Sequence, residues 1–293
     1  MLKMLPPLSV PKHLAIAVTF HFVEDRLKYL AMLAEHFTSL ADKVTVYIIT
    51  NRREKKELNL IADAVRGQGF DINFLTPIGL GHPFLLTWSH FVAFRTLMQD
   101  ESVSHFMYLE DDILVRRESV EYWMQGRELL RKTPFYPSFL RVEKNEQDGR
   151  WYSSDCLKRH DVGSLPRVAF GQDLWFLNLP SPYQGMYLLD REQMQEHLTS
   201  ASSVPEFHPL GWGIREQAAQ GLSFARVPDG FRTRNLLAYW PQTSKIDERA
   251  FVHHTPNTYV LMAHQDVPLG SIPVDELLYR EADQAKQAEA DLT

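Results

Sequence analysis

The chain has little of what would indicate a secreted, membrane-spanning or nucleic-acid-binding protein. Cys156 is the one cysteine among 293 residues, so no intrachain disulfide can form and nothing indicates an oxidising compartment. The apolar stretch 14–22 is too short to span a bilayer, and it carries His21. The 31 Lys and Arg residues are fewer than the 37 Asp and Glu residues, whereas generic nucleic-acid binding requires clustered cations. We therefore expect a cytoplasmic protein with no membrane span and no nucleic-acid partner.

Several motifs of well-known catalytic sites are missing too. No G-x-x-x-x-G-K-[ST] segment occurs, which argues against a P-loop, and no G-x-S-x-G segment occurs, which argues against a nucleophile elbow. The segment 79–84 lacks the third glycine of a dinucleotide-binding fingerprint, and no acidic partner follows it at the required distance. A P-loop site, a serine nucleophile of that type and a dinucleotide-binding loop are therefore disfavoured.

The first half of the chain shows a regular alternation of strand and helix patterns. The content of 44% hydrophobic and 12% aromatic residues is that of a folded globular protein. Near-continuous apolar runs predict strands at 13–22, 44–49, 71–75 and 105–110. Apolar residues at helical spacing predict helices at 25–40, 54–65 and 84–98. This alternation predicts an α/β fold with a mostly parallel central sheet flanked by helices.

The second half is more irregular and carries no internal repeat. Helices are expected at 118–130, 191–198 and 213–220, and strands at 138–143, 174–177 and 184–189. A long polar loop or hairpin is expected at 145–170. We expect one domain over residues 1–293, made of an α/β half at 12–116, an irregular half at 117–275 and a C-terminal tail at 276–293, of which 282–292 is acidic and alanine-rich.

The most informative segment is an apolar run that ends in three consecutive acids. Glu110, Asp111 and Asp112 lie at the end of the strand predicted at 105–110, which is the edge where open α/β sheets bind ligands. Three adjacent carboxylates repel one another, so burying them favours a bound cation, and the removal of one acid relieves repulsion. Hard oxygen ligands suit Mg²⁺ or Mn²⁺. The alternative interpretation is a solvated turn after a core strand.

The strand with its terminal Glu-Asp-Asp resembles the acidic DxD metal motif of GT-A glycosyltransferases. As in that family, the acids follow several βα units, and a Gly-Trp-Gly segment at 211–213, an Arg-Glu pair at 215–216 and a His-His pair at 253–254 follow later. The resemblance implies a GT-A-like fold, with a nucleotide-sugar-binding half at 12–116 and an acceptor half at 117–275. It also implies a nucleotide-diphosphate sugar as donor, a carbohydrate or other hydroxyl as acceptor, and Mn²⁺ or Mg²⁺ as cofactor.

The same resemblance implies a set of metal ligands. Asp112 and Asp111 would hold the ion through their carboxylates, and a late histidine would complete the set. If their segment is extended, His253 and His254 point to opposite faces, so at most one of them faces the metal. Of the two, His254 is preferred.

The catalytic base that the resemblance implies is Glu216, near the start of a predicted helix. It would remove the acceptor proton if the enzyme inverts configuration, and it would only orient the acceptor if the enzyme retains it. The family more often carries Glu-Asp where this chain has Arg215-Glu216, and Glu206 is a weaker candidate for the same role. A helix acid favoured by the macrodipole is the structural alternative.

Donor and acceptor contacts are implied at further positions. Contacts with the nucleotide are expected at the ends of the first two strands and at the first acid of the motif, namely at Thr19, Phe20, His21, Asn51, Arg52 and Glu110. Because a sugar ring stacks on aromatic faces, acceptor contacts are expected in the second half, namely at Trp212, Tyr183 and Gly185. Core packing is the alternative for the aromatic residues, and a solvated helix start is the alternative for Arg52.

Two other functions stay open at the level of sequence. A nucleotidyltransferase acting on a sugar phosphate shares the α/β sheet and an acidic metal site. Such enzymes usually have a Gly-rich, Lys-containing first loop, which the segment 19–24 lacks. A non-catalytic sugar- or protein-binding module on the same fold is disfavoured by the intact set of acids and histidines. A metal-dependent glycosyltransferase is the preferred hypothesis.

Overall fold

Strands and helices alternate along the first half of the chain. The computed structural model describes residues 5–67, 69–180, 183–205, 211–262 and 269–280. The strands are β1 His13–Phe20, β2 Lys43–Thr50, β3 Asp71–Leu75, β4 His105–Glu110, β5 Ile113–Leu114, β6 Tyr136–Pro137, β7 Leu140–Lys144, β8 Trp151–Ser153, β9 His160–Asp161, β10 Arg167–Phe170, β11 Leu174–Leu177, β12 Met186–Asp190, β13 Asn235–Trp240, β14 Lys245–Ile246, β15 Phe251–His254, β16 Ile272–Pro273 and β17 Leu278–Tyr279. The α-helices are α1 Leu27–Phe37, α2 Lys55–Ala64, α3 His90–Leu97, α4 Arg117–Leu130, α5 Arg191–Thr199, α6 Ile214–Gln217, α7 Thr258–Met262 and α8 Val274–Leu277. Among the described residues, none of these helices is long and apolar enough to cross a membrane.

Five strands form the central sheet in the order β12-β4-β1-β2-β3. β1 pairs in parallel with β2 and β4, and β2 pairs in parallel with β3. β12 runs antiparallel to β4 at the edge. The prediction of an α/β fold with a mostly parallel central sheet is therefore confirmed. All eight residues of β1 are buried, as expected of a central strand in a sheet covered on both faces.

The two faces of the central sheet pack into two apolar clusters. Alternate residues of β1 enter them: Leu14, Ile16 and Val18 join the cluster that contains α1, α2 and α4. Ala15 and Ala17 join the cluster that contains α3. This division follows from the two-residue period of a strand. Because β1, β2 and β4 run parallel, their carboxyl ends lie together at one edge of the sheet.

The second half of the chain supplies all but one of the strands, β5, of two further five-stranded sheets. The strands β10-β11-β13-β14 form one, with β6 paired to β13, and β16-β8-β7-β15-β5 form the other. In the latter sheet, β15 runs antiparallel to β5 with His254 opposite Ile113. The Thr255 amide donates to the Asp112 carbonyl at 2.9 Å. A segment far along the chain is thereby held beside the acids that follow β4.

The structure differs from the predicted elements mainly in helix bounds and in the second half. The predicted helix 84–98 begins as a 3-10 helix, Pro83–Ser89, so its α-helical part is α3 alone. The predicted helix 213–220 is the four-residue α6. The polar stretch 145–170 contains β8 and β9 and ends in β10, because short strands pair with distant partners that local periodicity does not report. Most of the tail at 276–293 lies outside the described residues.

A buried histidine in α3 predicts a loss of stability in mild acid. His90 is fully buried, and its Nδ1 hydrogen-bonds the Thr87 carbonyl at 2.5 Å. Burial lowers the pKa of His90 from 6.5 to about 3, so between these values the unfolded chain binds a proton that the folded protein does not. The contribution of His90 to the free energy of unfolding is complete above pH 6.5 and falls by about 2 kcal/mol by pH 5.

Urea unfolding of the wild type and of His90→Gln at pH 7 and pH 5 measures this contribution. Between the two pH values, the wild type should lose about 2 kcal/mol more than the variant. The comparison uses the change with pH, so the packing cost of the substitution itself cancels. Equal losses in the two proteins would contradict the role of His90.

Candidate active site

Polar side chains from both halves of the chain line one cavity at the carboxyl ends of β1 and β4. This main cavity encloses about 510 Å³. Its lining includes many of the residues expected to be functional, namely Thr19, His21, Glu110, Asp111, Asp112, Tyr183, Glu216 and His254. The other lining residues are Val23, Arg26, Pro83, Phe84, Leu86, Thr87, Tyr108, Arg141, Arg215 and Tyr259. The fold therefore gathers side chains that are far apart in sequence.

The segment just before β12 holds Glu110, the first of the acids at the end of β4, in place. Glu110 ends β4, its amide donates to the Gly185 carbonyl at 3.0 Å, and its Oε1 accepts a hydrogen bond from the Tyr183 hydroxyl. Gly185 has a φ of 67°. A Cβ added there would lie 2.7 Å from Ile113 Cγ1 and 3.0 Å from Glu110 Oε2. Gly185, expected to contact the acceptor, is thus a backbone position packed behind Glu110.

One arginine pairs with both Asp111 and Asp112. Arg26 Nε and Nη2 donate to the two carboxylate oxygens of Asp111 at 2.8 and 2.6 Å. Nη2 also donates to Asp112 Oδ2 at 2.8 Å. Arg26 closes a 3-10 turn, Glu24–Arg26, that follows β1, so the chain delivers it to the same sheet edge as the acids. Two-pronged arginine–carboxylate pairs are among the strong charge-assisted hydrogen bonds.

His254 lies between two carboxylates. Its Nε2 is 3.5 Å from Asp112 Oδ2, and its Nδ1 hydrogen-bonds Glu143 Oε1. Glu143 is fully buried on β7, and its other oxygen accepts the Val260 amide at 2.7 Å. Glu143 therefore fixes the imidazole ring with Nε2 turned towards Asp112.

The extended conformation of β15 separates the two adjacent histidines, as the period of a strand predicts. His254 lines the main cavity. His253 hydrogen-bonds Asn257 Oδ1 at 2.9 Å and packs against Trp151, with ring centres 5.1 Å apart. Of the two histidines, His254 is the one placed to reach a ligand in this cavity.

Burial and charge pairing set the protonation of the acid cluster. Burial raises the pKa of Glu110 to about 7 and, against the hydrogen bond from Arg26, that of Asp111 to about 6. Burial also acts to raise the pKa of Asp112, but hydrogen bonds with His254 and Arg26 outweigh burial and lower that pKa to about 2. Burial lowers the pKa of His254, but its two carboxylate partners outweigh burial and raise it to about 9. At neutral pH the site therefore pairs a charged imidazole with a charged Asp112.

The donor set fits a divalent ion. Carboxylate oxygens and a neutral imidazole nitrogen are ligands that Mn²⁺ accepts, so an ion bound here would take the place of the Nε2 proton of His254. Adjacent ligands about 2.1 Å from one ion lie about 3 Å apart, and Asp112 Oδ2 and His254 Nε2 are 3.5 Å apart. A carboxylate behind the ligating histidine is typical of protein metal sites, and Glu143 has that position. Within the described part of the chain, no three His, Cys, Asp or Glu side chains are already arranged as a ligand set.

A second arginine, Arg141, is built rigidly into the cavity wall. Its Nε and Nη2 donate to the two carboxylate oxygens of Asp155 at 2.8 and 2.6 Å. Its guanidinium carbon lies 4.8 Å from the ring centre of Tyr183 and 5.5 Å from that of Tyr259. The ion pair and the two cation–π contacts together stabilise a buried positive charge at the cavity.

Glu216 reaches the main cavity from the short helix α6. Its Oε1 is 3.4 Å from Arg215 Nη2, and the Arg215 guanidinium carbon lies 4.8 Å from the ring centre of Phe84. The Glu216 side chain folds back over Gly213, where an added Cβ would lie 2.2 Å from Glu216 Oε2. A side chain at position 213 would therefore displace this carboxylate. Glu206, the weaker candidate, lies outside the described residues.

A second cavity adjoins the main cavity at the ends of β1 and β2. It encloses about 360 Å³ and shares His21 and Pro83 with the main cavity. Asn51 lines it, with Oδ1 accepting the Phe22 amide at 2.9 Å and Nδ2 3.3 Å from His21 Nε2. Residues of the loop 77–82 form its other wall.

Three expected ligand contacts have other surroundings. Phe20 is fully buried in the core, because it continues the inward-facing series of β1 at the strand's last residue, and it does not offer a face to a base. Arg52 Nε is 3.7 Å from Glu57 Oε1, and its side chain is 46% exposed, which is a solvated helix start. Trp212 stacks on Tyr183, with ring centres 5.2 Å apart, so it supports the cavity wall from behind.

Sequence reasoning missed three charged residues of the site. Arg141 and Glu143 alternate with apolar residues along β7, so two charges on one face of a buried strand were a signal available in the sequence. Arg26 precedes a helix, where the dipole disfavours a cation, and that mismatch was a second signal. Tyr259 carried no distinguishing pattern.

The chain partly resembles a curated protein and a solved structure. It is 28% identical over 170 residues to the tRNA 5-methylaminomethyl-2-thiouridine biosynthesis bifunctional protein MnmC from Marinobacter nauticus, a match over 55% of this chain. The match spans 27% of the length of that curated relative. A solved structure of the galactosyltransferase LgtC in complex with donor and acceptor sugar analogs is 16% identical, over 72% of this chain and 70% of that one, with a TM-score of 0.33. Such a score does not establish a shared fold, and no family model matches the chain.

Proposed function

We propose that the protein is a glycosyltransferase, which moves a sugar from a nucleotide-diphosphate sugar to a hydroxyl acceptor with the help of a divalent cation. The observation that carries the proposal is the convergence of Asp112, His254 and Glu216 on one cavity from three distant parts of the chain. A carboxylate and an oriented imidazole suit a cation, and a separate carboxylate suits proton removal from a hydroxyl. The resemblance of the Glu-Asp-Asp segment to the GT-A metal motif supports the same reaction.

In this proposal the donor lies across the two cavities. The nucleoside occupies the second cavity against His21 and Asn51, and its diphosphate then reaches the acids of the main cavity. A divalent ion held by Asp112 and His254 would neutralise the leaving diphosphate. Glu143 keeps the His254 ring in the orientation that this requires.

The acceptor enters the same cavity beside Glu216. In an inverting reaction the Glu216 carboxylate takes the proton of the acceptor hydroxyl. In a retaining reaction it accepts a hydrogen bond from that hydroxyl and orients it. The Tyr183 ring packs against Trp212 and Arg141, so Tyr183 contributes a fixed part of the cavity wall beside the acceptor.

Release of nucleoside diphosphate tests the proposal. The purified protein, given a panel of nucleotide sugars and Mn²⁺, should release free nucleoside diphosphate slowly even without acceptor, because water replaces the acceptor hydroxyl. Chromatographic detection of the nucleoside diphosphate measures the rate, and an EDTA-treated sample is the control. Titration that detects binding of a nucleotide sugar, together with neither hydrolysis nor transfer across the panel, would favour a non-catalytic sugar-binding module.

A further inference from the structure

The acid pair at the proposed metal site is already paired with a cation of the protein itself. Arg26 makes hydrogen bonds to both Asp111 and Asp112, and the Asp112 oxygen that it contacts is also the one that faces His254. Both carboxylates are buried. If Arg26 left without a replacement, the buried negative charge of Asp111 and Asp112 would lose its positive partner. Arg26 can therefore leave only when another cation binds these carboxylates.

Charge repulsion prevents Arg26 and a divalent ion from binding the acid pair at the same time. A divalent ion about 2.1 Å from Asp112 Oδ2 would lie close to Arg26 Nη2, which is 2.8 Å from the same oxygen. A dication and a guanidinium at such a separation repel each other strongly inside a protein. The guanidinium and the ion are therefore alternative occupants of the acid pair.

Arg26 has room to leave and a destination in the same cavity. Its side chain is 33% exposed, whereas those of Asp111 and Asp112 are 10% and 11% exposed, so the arginine is the partner with open space beside it. Arg26 itself lines the main cavity, where the proposed function places the diphosphate. A guanidinium binds phosphate oxygens with the same two-pronged geometry that it shows here towards Asp111.

We propose that Arg26 exchanges partners during donor binding. Arg26 holds Asp111 and Asp112 in the metal-free protein. When a divalent ion takes these carboxylates, Arg26 binds the diphosphate of the donor. This inference rests on the proposed function and adds a diphosphate-binding residue to it. Because the ion frees the arginine and the diphosphate accepts it, each of the two ligands favours binding of the other.

Mn²⁺ binding without nucleotide is the first measurement. Isothermal titration compares the wild type with Arg26→Gln and with the matched control Arg117→Gln. Arg117 also pairs with one carboxylate, with its Nε 2.8 Å from Glu121 Oε1, but on the exposed side of α4. Arg26→Gln should bind Mn²⁺ at least about tenfold more tightly than the wild type, and Arg117→Gln should match the wild type within about twofold. Equal or weaker binding by Arg26→Gln would overturn the exchange.

Thermal unfolding shows whether the Arg26 variants are folded, so that a difference in Mn²⁺ affinity is not due to a folding defect. Arg26→Gln should unfold at a lower temperature than the wild type without metal, and Mn²⁺ should raise its Tm by more than it raises that of the wild type. Arg26→Lys keeps the charge but lacks the fork geometry, so its Mn²⁺ affinity should lie between those of the wild type and Arg26→Gln. If Arg26→Gln does not fold, Arg26→Lys is measured in its place. An Mn²⁺ affinity of Arg26→Lys equal to that of the wild type would then overturn the exchange.

Binding of inorganic pyrophosphate at saturating Mn²⁺ is the second measurement. Arg26→Gln should bind pyrophosphate at least about fivefold more weakly than Arg117→Gln, because it lacks the freed guanidinium. Equal affinities would overturn the exchange. Mn²⁺ binding by none of these proteins would contradict the proposed metal site and the exchange together. Mn²⁺ binding that Arg26→Gln leaves unchanged would overturn the exchange and leave the proposed function standing.

Discussion

Asp112→Ala should lower the free energy of unfolding of the metal-free protein by about 3 kcal/mol and should abolish Mn²⁺-dependent binding of nucleoside diphosphates. The stability falls because Arg26 and His254 both lose a buried, charged partner. The binding is lost because Asp112 is the carboxylate that faces the imidazole across the proposed metal position. Urea unfolding measures the first effect, and titration of a nucleoside diphosphate with and without Mn²⁺ measures the second.

Asp42→Ala is the matched control for this variant. Asp42 Oδ2 is 3.0 Å from Lys12 Nζ, but both side chains are exposed, so its loss should cost less than about 1 kcal/mol and leave binding unchanged. The crowding of three acids in sequence predicts the opposite sign for Asp112→Ala, a gain from relieved repulsion. A more stable Asp112→Ala would show that repulsion outweighs the two cationic partners. Unchanged diphosphate affinity would contradict the metal site.

Glu216→Gln should lower kcat by about 10²–10⁴-fold, with donor binding unchanged, if Glu216 removes the acceptor proton. The substitution keeps the shape of the side chain that lies over Gly213 and removes its basicity. Steady-state kinetics at saturating donor, with the acceptor concentration varied, separate the effect on kcat from the effect on KM.

Glu128→Gln is the control for Glu216→Gln. Glu128 also has an arginine neighbour, with Arg131 Nη1 3.3 Å from its Oε2, but both side chains are exposed at the end of α4. It should have the kcat of the wild type. A loss confined to the acceptor KM in Glu216→Gln would assign Glu216 to acceptor positioning. Near-wild-type kinetics would contradict a direct role and favour a retaining mechanism without an enzymic base, or Glu206 as the base.

The central sheet was predictable because its signal is local. A parallel strand covered on both faces must be apolar along its whole length, so it stands out from the segments around it. The strands β3 and β4 have the predicted bounds, 71–75 and 105–110, and β1 ends only two residues before its predicted end. The position of the acids at 110–112 follows from the assignment of β4, because Glu110 ends this strand and the two aspartates come directly after it.

The second half was less predictable because its strands are short and their partners are distant in sequence. β13 pairs with β11, β6 and β14, and β15 pairs with β7 and β5. A strand of two to six residues shows little periodicity, and its pairing depends on the path of the chain between the partners. The contacts of β15, which bring His254 to Asp112, belong to this class.

Chain pattern alone therefore accounts for the parallel sheet, for the acids at its carboxyl edge and for the opposite orientation of two adjacent histidines. The pairing of the charges depends on the folded arrangement. Arg26 meets Asp111 because β1 and β4 are neighbours in the sheet, and His254 meets Glu143 because β15 lies beside β7. Buried charges are stabilised by partners within a few ångströms, and neighbours at that distance are set by strand order, which local periodicity does not encode.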